Sequence, residues 1–378
     1  MSIAKYRKLD LFLLLLALGT IMVLADKGQA RTHRESKLPG WKTNTVKRTI
    51  ELHELEQGGP GKDGIPAIDR PAFTDPRSAQ RWLRPKEPVI SLVINNHSRA
   101  YPLQILIWHE IINDTVAGVP VAVTFCPLCY SANVFDRRVQ GRSYSFGVSG
   151  MLRHSDMVMY DRQTESLWQQ ISGEAIVGDM VGSQLKRLPA QIISFEQFRS
   201  AYKKGLVLSR DTGFRRNYGR NPYAGYDDIS KTPFMYRGET DSKLMPMEKV
   251  VTVSVANSDK AYPYSITREL HVINDEITKV PVVVFHADGT VSTLDRNRIG
   301  ASRKVGSTGV FDRRIDGQQL VFHYKDGSFY DEQTKSVWDI IGRAVQGPLR
   351  GKELTRIVHG DYFAFAWLAF KPETEIFR

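Results

Sequence analysis

Cysteine is scarce in this chain. Its 378 residues hold two, Cys126 and Cys129, both within the stretch VTFCPLCYSANVFDRR. That excludes a disulfide-stapled scaffold, and a chain of this length with 42% hydrophobic residues can build a core without one. Long apolar runs are scarce too. The exception is LFLLLLALGTIMVLA, Leu11 to Ala25, which follows Lys5, Arg7 and Lys8 and precedes small-residue cleavage sites at Ala25 and Ala30. It is shorter than the roughly 20 residues that span a bilayer comfortably. The pattern predicts a secretory signal peptide over residues 1–30, with an uncleaved N-terminal anchor as the alternative. No cysteine follows the run, which excludes a lipoprotein. Clustered positive charge is also missing. The formal charge is +11, but Lys and Arg are interspersed with acids. That argues against a nucleic-acid partner and fits association with the membrane or an anionic envelope surface. The expected location is periplasmic or otherwise extracytoplasmic.

What the chain does contain is one internal repeat. AYPLQILIWHEIINDTVAGVPVAVTF from Ala100 matches AYPYSITRELHVINDEITKVPVVVFH from Ala261. VFDRRVQGRSYSF from Val134 matches VFDRRIDGQQLVF from Val310, and YDRQTESLW from Tyr160 matches YDEQTKSVW from Tyr330. The expected organisation is a lead-in over 31–86, a first repeat over 87–209, a linker over 210–247 and a second, degenerate repeat over 248–378. β-Branched runs, a short apolar VPVAVTF run and Gln-Gly or Asp-Gly turns predict a mostly β fold with a few short helices, an α+β arrangement of two tandem related β-rich domains. AYP in each copy predicts a proline-bearing edge strand. Helical pattern appears in SFEQFRSAYKK and DYFAFAWLAFK.

Each copy is a control for the other. Residues present in both are most economically explained by the fold: Asn113-Asp114 with Asn274-Asp275, Phe135 to Arg138 with Phe311 to Arg314, and Trp168 with Trp338. Cys126 and Cys129 instead face Ala287 and Thr290, and His109-Glu110 faces Leu270-His271. The segment from Phe146 to Tyr160 is longer than that from Phe322 to Tyr330, and its extra residues include Ser149, Arg153, His154 and Asp156. These single-copy residues are expected to form one site.

Three chemistries fit the cysteine pair. In the first, Cys126 attacks a disulfide and Cys129 resolves the mixed disulfide, with a protein thiol or a small thiol as partner. His109, Arg137, Arg138 and Arg153 would lower the thiol pKa, and Glu110 would accept a proton. No cofactor is needed. In the second, zinc or copper is held by Cys126, Cys129 and His109, with His154 or Asp156 completing the set. In the third, the pair forms a structural disulfide in a non-catalytic envelope binding module. CPLC is similar to the glutaredoxin CPYC, but that fold needs a long helix after the second cysteine. Here SANVFDRRVQGRSYSF turns as a hairpin. The substrate, and whether the protein is an enzyme at all, stay open.

HEIIND, FCPLC, FGVSG and YDRQTESLWQQ, in that order, resemble the bacterial family of unknown function DUF3179, strongly over residues 87–230 and weakly in the second copy. The resemblance implies little chemistry, although the family's candidate selenoproteins favour redox over structural zinc. The chain departs from the family pattern at Tyr130, usually Gly, and at Arg153-His154, usually Tyr-Asn.

Overall fold

The computed structural model describes residues 38–240 and 243–378. The expected signal peptide lies outside the described residues. Among those described, no helix is long and apolar enough to cross a membrane.

The chain is mostly β, with 42% strand and 11% helix. Both copies build the same three sheets. Ala190–Ser194, Pro88–Ile94, His97–Pro102 and Leu206–Leu208 lie side by side in the first copy, as His359–Phe363, Lys249–Val255, Ser258–Pro263 and Glu375–Ile376 do in the second. Ile111–Val116, Val119–Cys126, Ser131–Asp136 and Lys186–Leu188 correspond to Val272–Ile277, Val280–Ala287, Ser307–Asp312 and Thr355–Arg356. The third pair runs from Phe146–Arg153 to Glu174–Val177 and from Phe322–Lys325 to Ala344–Gln346.

Residues shared by the copies make the same bonds twice. Asn113 donates from Nδ2 to the Phe146 carbonyl (2.8 Å) and accepts from the Phe146 N–H (2.9 Å), and Asn274 does the same with Phe322 at 2.8 and 2.9 Å. Trp168 donates to Asp161 (2.9 Å) and Trp338 to Asp331 (3.0 Å). Arg138 pairs with Asp136, and Arg314 with Asp312. The structural reading of these repeated residues therefore holds.

The proline-bearing strand is not at an edge. His97–Pro102 lies between Pro88–Ile94 and Leu206–Leu208. Pro102 is its last residue and the N-cap of the helix Leu103–His109, where a missing N–H costs no ladder bond. The linker expected at 210–247 is tied to both copies. Trp108 Nε1 donates to the Arg220 carbonyl (3.1 Å), and Asn221 N–H to that of Asn297 (2.9 Å).

The cores also cross between copies. The largest cluster joins Val123, Phe135 and Trp168 to Val250, Tyr362 and Trp367. A second joins Phe195 and Phe198 to Phe285, Phe311 and Trp338.

Candidate functional site

Cys126 ends the buried strand Val119–Cys126, and Cys129 lies in the tight turn before the strand Ser131–Asp136. Register pairing of Cys126 with Ser131 folds the four-residue motif back on itself and brings the cysteines to 4.1 Å, unbonded. Both are buried. The turn needs a left-handed residue, and Tyr130 supplies it at φ 53°. That explains why glycine suits this position. Tyr130 offsets the strain by packing its ring against Phe125 and Phe363, with centroids 5.8 and 5.7 Å away.

Asp156, first residue of the strand Asp156–Asp161, completes the cluster. One ligand atom from each of Cys126, Cys129 and Asp156 lies within 4.8 Å of the others. The Asp156 carboxylate is fully buried and accepts from Gln169 Nε2 (2.7 Å) and the Ile171 N–H (2.9 Å). Burial outweighs these bonds, and one from Cys129, and raises its pKa to about 7. Burial pushes the Cys129 thiol well up, and its contacts with Cys126 and Asp156 add to the shift. Cys126 Sγ lies 3.8 Å from the Ser155 carbonyl, to which its S–H points.

Glu110 caps the helix Leu103–His109 at φ 57°, and its carbonyl accepts from the Phe125 N–H (2.8 Å), one residue before Cys126. Its buried carboxyl has a pKa raised to about 8 by desolvation and then by Asp156. His109 faces elsewhere. Nδ1 bonds the Pro66 carbonyl and Nε2 the Tyr218 hydroxyl, both at 2.7 Å.

The expected cations are engaged away from the sulfurs. Arg137 donates to the Tyr144 carbonyl (2.8 Å), Arg138 pairs with Asp136, and Arg153 pairs with Glu54 at 2.8 Å. His154 lies 3.9 Å from Glu54 and edge-on to Phe370. Ser149 bonds the Val158 carbonyl and accepts from the Met151 N–H (2.9 Å), fixing a bulge between Val148 and Met151. Of the extra segment, only Asp156 and the Ser155 carbonyl reach the cysteines.

One group of residues escaped the sequence reading. Gln170 joins Ser131 Oγ (2.5 Å) to Thr124 Oγ1 (2.7 Å) under the cysteine turn, and Gln169 holds Asp156. In the second copy Gln169 and Gln170 correspond to Asp339 and Ile340. The single-copy criterion could have found them. The linker tyrosines and arginines, which the sequence offers first as a solvated loop and second as a cover for the site, come close to the second. Tyr226 donates to the Leu128 carbonyl inside the motif (3.1 Å), and Ser155 Oγ to that of Phe234 (2.5 Å). Tyr223 and Tyr226 have pKa values raised by burial, with Cys126 adding to both shifts. Linker tyrosines thus cover the cysteines.

No curated protein and no solved structure matches the chain. A family model does, described as a protein of unknown function (DUF3179), over residues 62–374. The match takes in part of the lead-in and nearly all of the second copy, well beyond the stretch where the motifs are concentrated. The chain belongs to the DUF3179 family.

Proposed function

We propose that this is an exported thiol–disulfide redox protein whose centre is Cys126, Cys129 and Asp156. The observation that carries the reading is a pair of free cysteines 4.1 Å apart with a buried carboxyl beside Cys129. A disulfide needs sulfurs about 2.05 Å apart, which small side-chain rotations can reach from here.

Cys126 attacks one sulfur of a substrate disulfide. The substrate S–S bond breaks, and the first leaving thiolate takes the proton given up by Cys126. Cys129 then attacks the mixed disulfide as its proton passes to the Asp156 carboxylate. The Cys126–Cys129 bond forms, the second substrate thiolate leaves, and Asp156 protonates it. The protein loses two electrons and the substrate disulfide becomes two thiols. With the predicted cations turned away, thiol activation rests on this proton transfer rather than on a neighbouring positive charge. Glu110, of higher pKa, is a proton reserve behind Asp156.

The compact donor set favours one second reading, a zinc or copper(I) site of Cys126, Cys129 and Asp156, with Asp156 in place of the expected His109. We also infer that the copies are tandem, duplicated units, a reading supported by the matching strand orders.

Redox titration with metal analysis on the same purified sample tests the function. A reversible two-electron couple in metal-free protein, lost in Cys126→Ser, supports exchange. Stoichiometric metal lost in Cys129→Ser and Asp156→Asn, with no such couple, supports the metal site instead.

A further inference from the structure

A second chemically unusual group lies across the molecule's seam. Lys249 opens the strand Lys249–Val255, and its side chain is buried. Its amine stands 3.4 Å above the Tyr130 ring centroid and 5.1 Å from that of Tyr264. Among the described residues it has no ion pair. The acids that attract it are already engaged. Asp361 accepts from the Tyr264 hydroxyl (2.8 Å) and Thr308 Oγ1 (2.7 Å). Asp227 is paired with Arg303 at 2.9 Å and accepts from Ser292.

Lys249 lines a cavity of about 450 Å³ shared by Met247, Tyr264 and Val305, the acids Asp227, Asp228 and Glu248, and the cations Arg268 and Arg303. Arg303 is shared between Asp227 and Asp295, whereas Arg268 is exposed and has no ion pair among the described residues. A buried ammonium without an anion is costly, so the site favours either the neutral amine or a ligand that supplies negative charge. Burial accordingly lowers the Lys249 pKa to about 8.

We propose that Lys249 is a reactive amine that binds a small aldehyde or ketone carrying an anionic group, by reversible imine formation. The neutral amine adds to the carbonyl carbon, water leaves with the carbonyl oxygen, and a C=N bond remains. The anionic group is held by Arg268 at the cavity rim, and the aromatic faces of Tyr130 and Tyr264 flank the nitrogen. The site does not depend on the thiol chemistry.

Glyoxylate with cyanoborohydride, followed by peptide mass mapping of the intact protein, tests this. At neutral pH Lys249 should be labelled at least ~10-fold faster than the exposed Lys203 and Lys204, because burial favours its neutral, nucleophilic amine. Arg268→Ala should slow labelling by glyoxylate and leave labelling by uncharged acetaldehyde unchanged. Labelling of Lys249 no faster than that of Lys203 and Lys204 would overturn the proposal. An equal effect of Arg268→Ala on both aldehydes would overturn the anion seat.

Discussion

At the residue scale the proposed exchange turns on one proton, passed through Asp156. Asp156→Asn keeps the shape and removes the base. It should slow resolution of a mixed disulfide by about 10²-fold or more, read by stopped-flow reduction of a small disulfide. In the wild type the same rate should rise as pH passes about 7, where Asp156 loses its proton. The variant should lack that rise, and an unchanged profile would remove Asp156 from the mechanism. Asn113 and Asn274 make the contrasting case. Each satisfies two backbone groups, so Asn274→Ala should cost about 1–3 kcal/mol in a urea titration. Thiol reactivity should stay as it was. The structural part of Asn was legible because it recurs, and the duplication marks Cys126, Cys129, Glu110 and Asp156 as single-copy residues. On the sequence alone, however, the proton-accepting part falls to Glu110, and Asp156 is only a supporting residue or metal ligand. The direction of His109 was not legible. A sequence places a histidine on a helix but does not say whether its ring meets a sulfur or, as here, Pro66 and Tyr218. Arg137 keeps the structural part that its recurrence as Arg313 indicates: its guanidinium ties the hairpin through the Tyr144 carbonyl, as that of Arg313 does through the Leu320 carbonyl.

At the element scale, the hairpins, the short helices and the VPVAVTF strand were readable from alternation and turn dipeptides. Gln140-Gly141 and Asp316-Gly317 both take positive φ, as their hairpin turns require. The position of His97–Pro102 within its sheet was not readable. Its neighbour Leu206–Leu208 arrives from a distant part of the chain, and local pattern carries no trace of that pairing. The linker's polar composition favours a solvated loop over a cover, yet its tyrosines pack over the cysteines. Tyr226 both donates to Leu128 and accepts from the Phe234 N–H (3.1 Å), pinning the strap at two points. Tyr226→Phe removes both bonds. With about 1 kcal/mol per bond, iodoacetamide should alkylate Cys126 roughly fivefold faster or more in native buffer. An unchanged rate would mean that the strap does not govern access.

At the scale of the whole molecule, shared cores couple the copies. Trp367 follows the last long strand of the second copy yet packs in the cluster that holds Val123 and Trp168. Trp367→Ala should cost about 3–5 kcal/mol and still give one unfolding transition rather than two. Stability should also carry the signature of the buried carboxyls. Glu110 and Asp156 have folded pKa values of about 8 and about 7, above the ordinary carboxylate range. The folded protein therefore holds protons that the unfolded chain releases. The stabilisation is complete below about pH 4 and is lost as pH rises through about 7 to 8, at up to ~1.4 kcal/mol per pH unit for each group. Urea midpoints should fall across that window, and Glu110→Gln should flatten the fall. The central claim, that the cysteine pair works as a redox couple, is tested most directly by equilibrating metal-free protein with dithiol–disulfide buffers and counting free thiols at each potential. The account predicts a single reversible two-electron transition that disappears in Cys126→Ser. Two thiols that never pair at any potential, or a bridge that no buffer opens without unfolding, would contradict it.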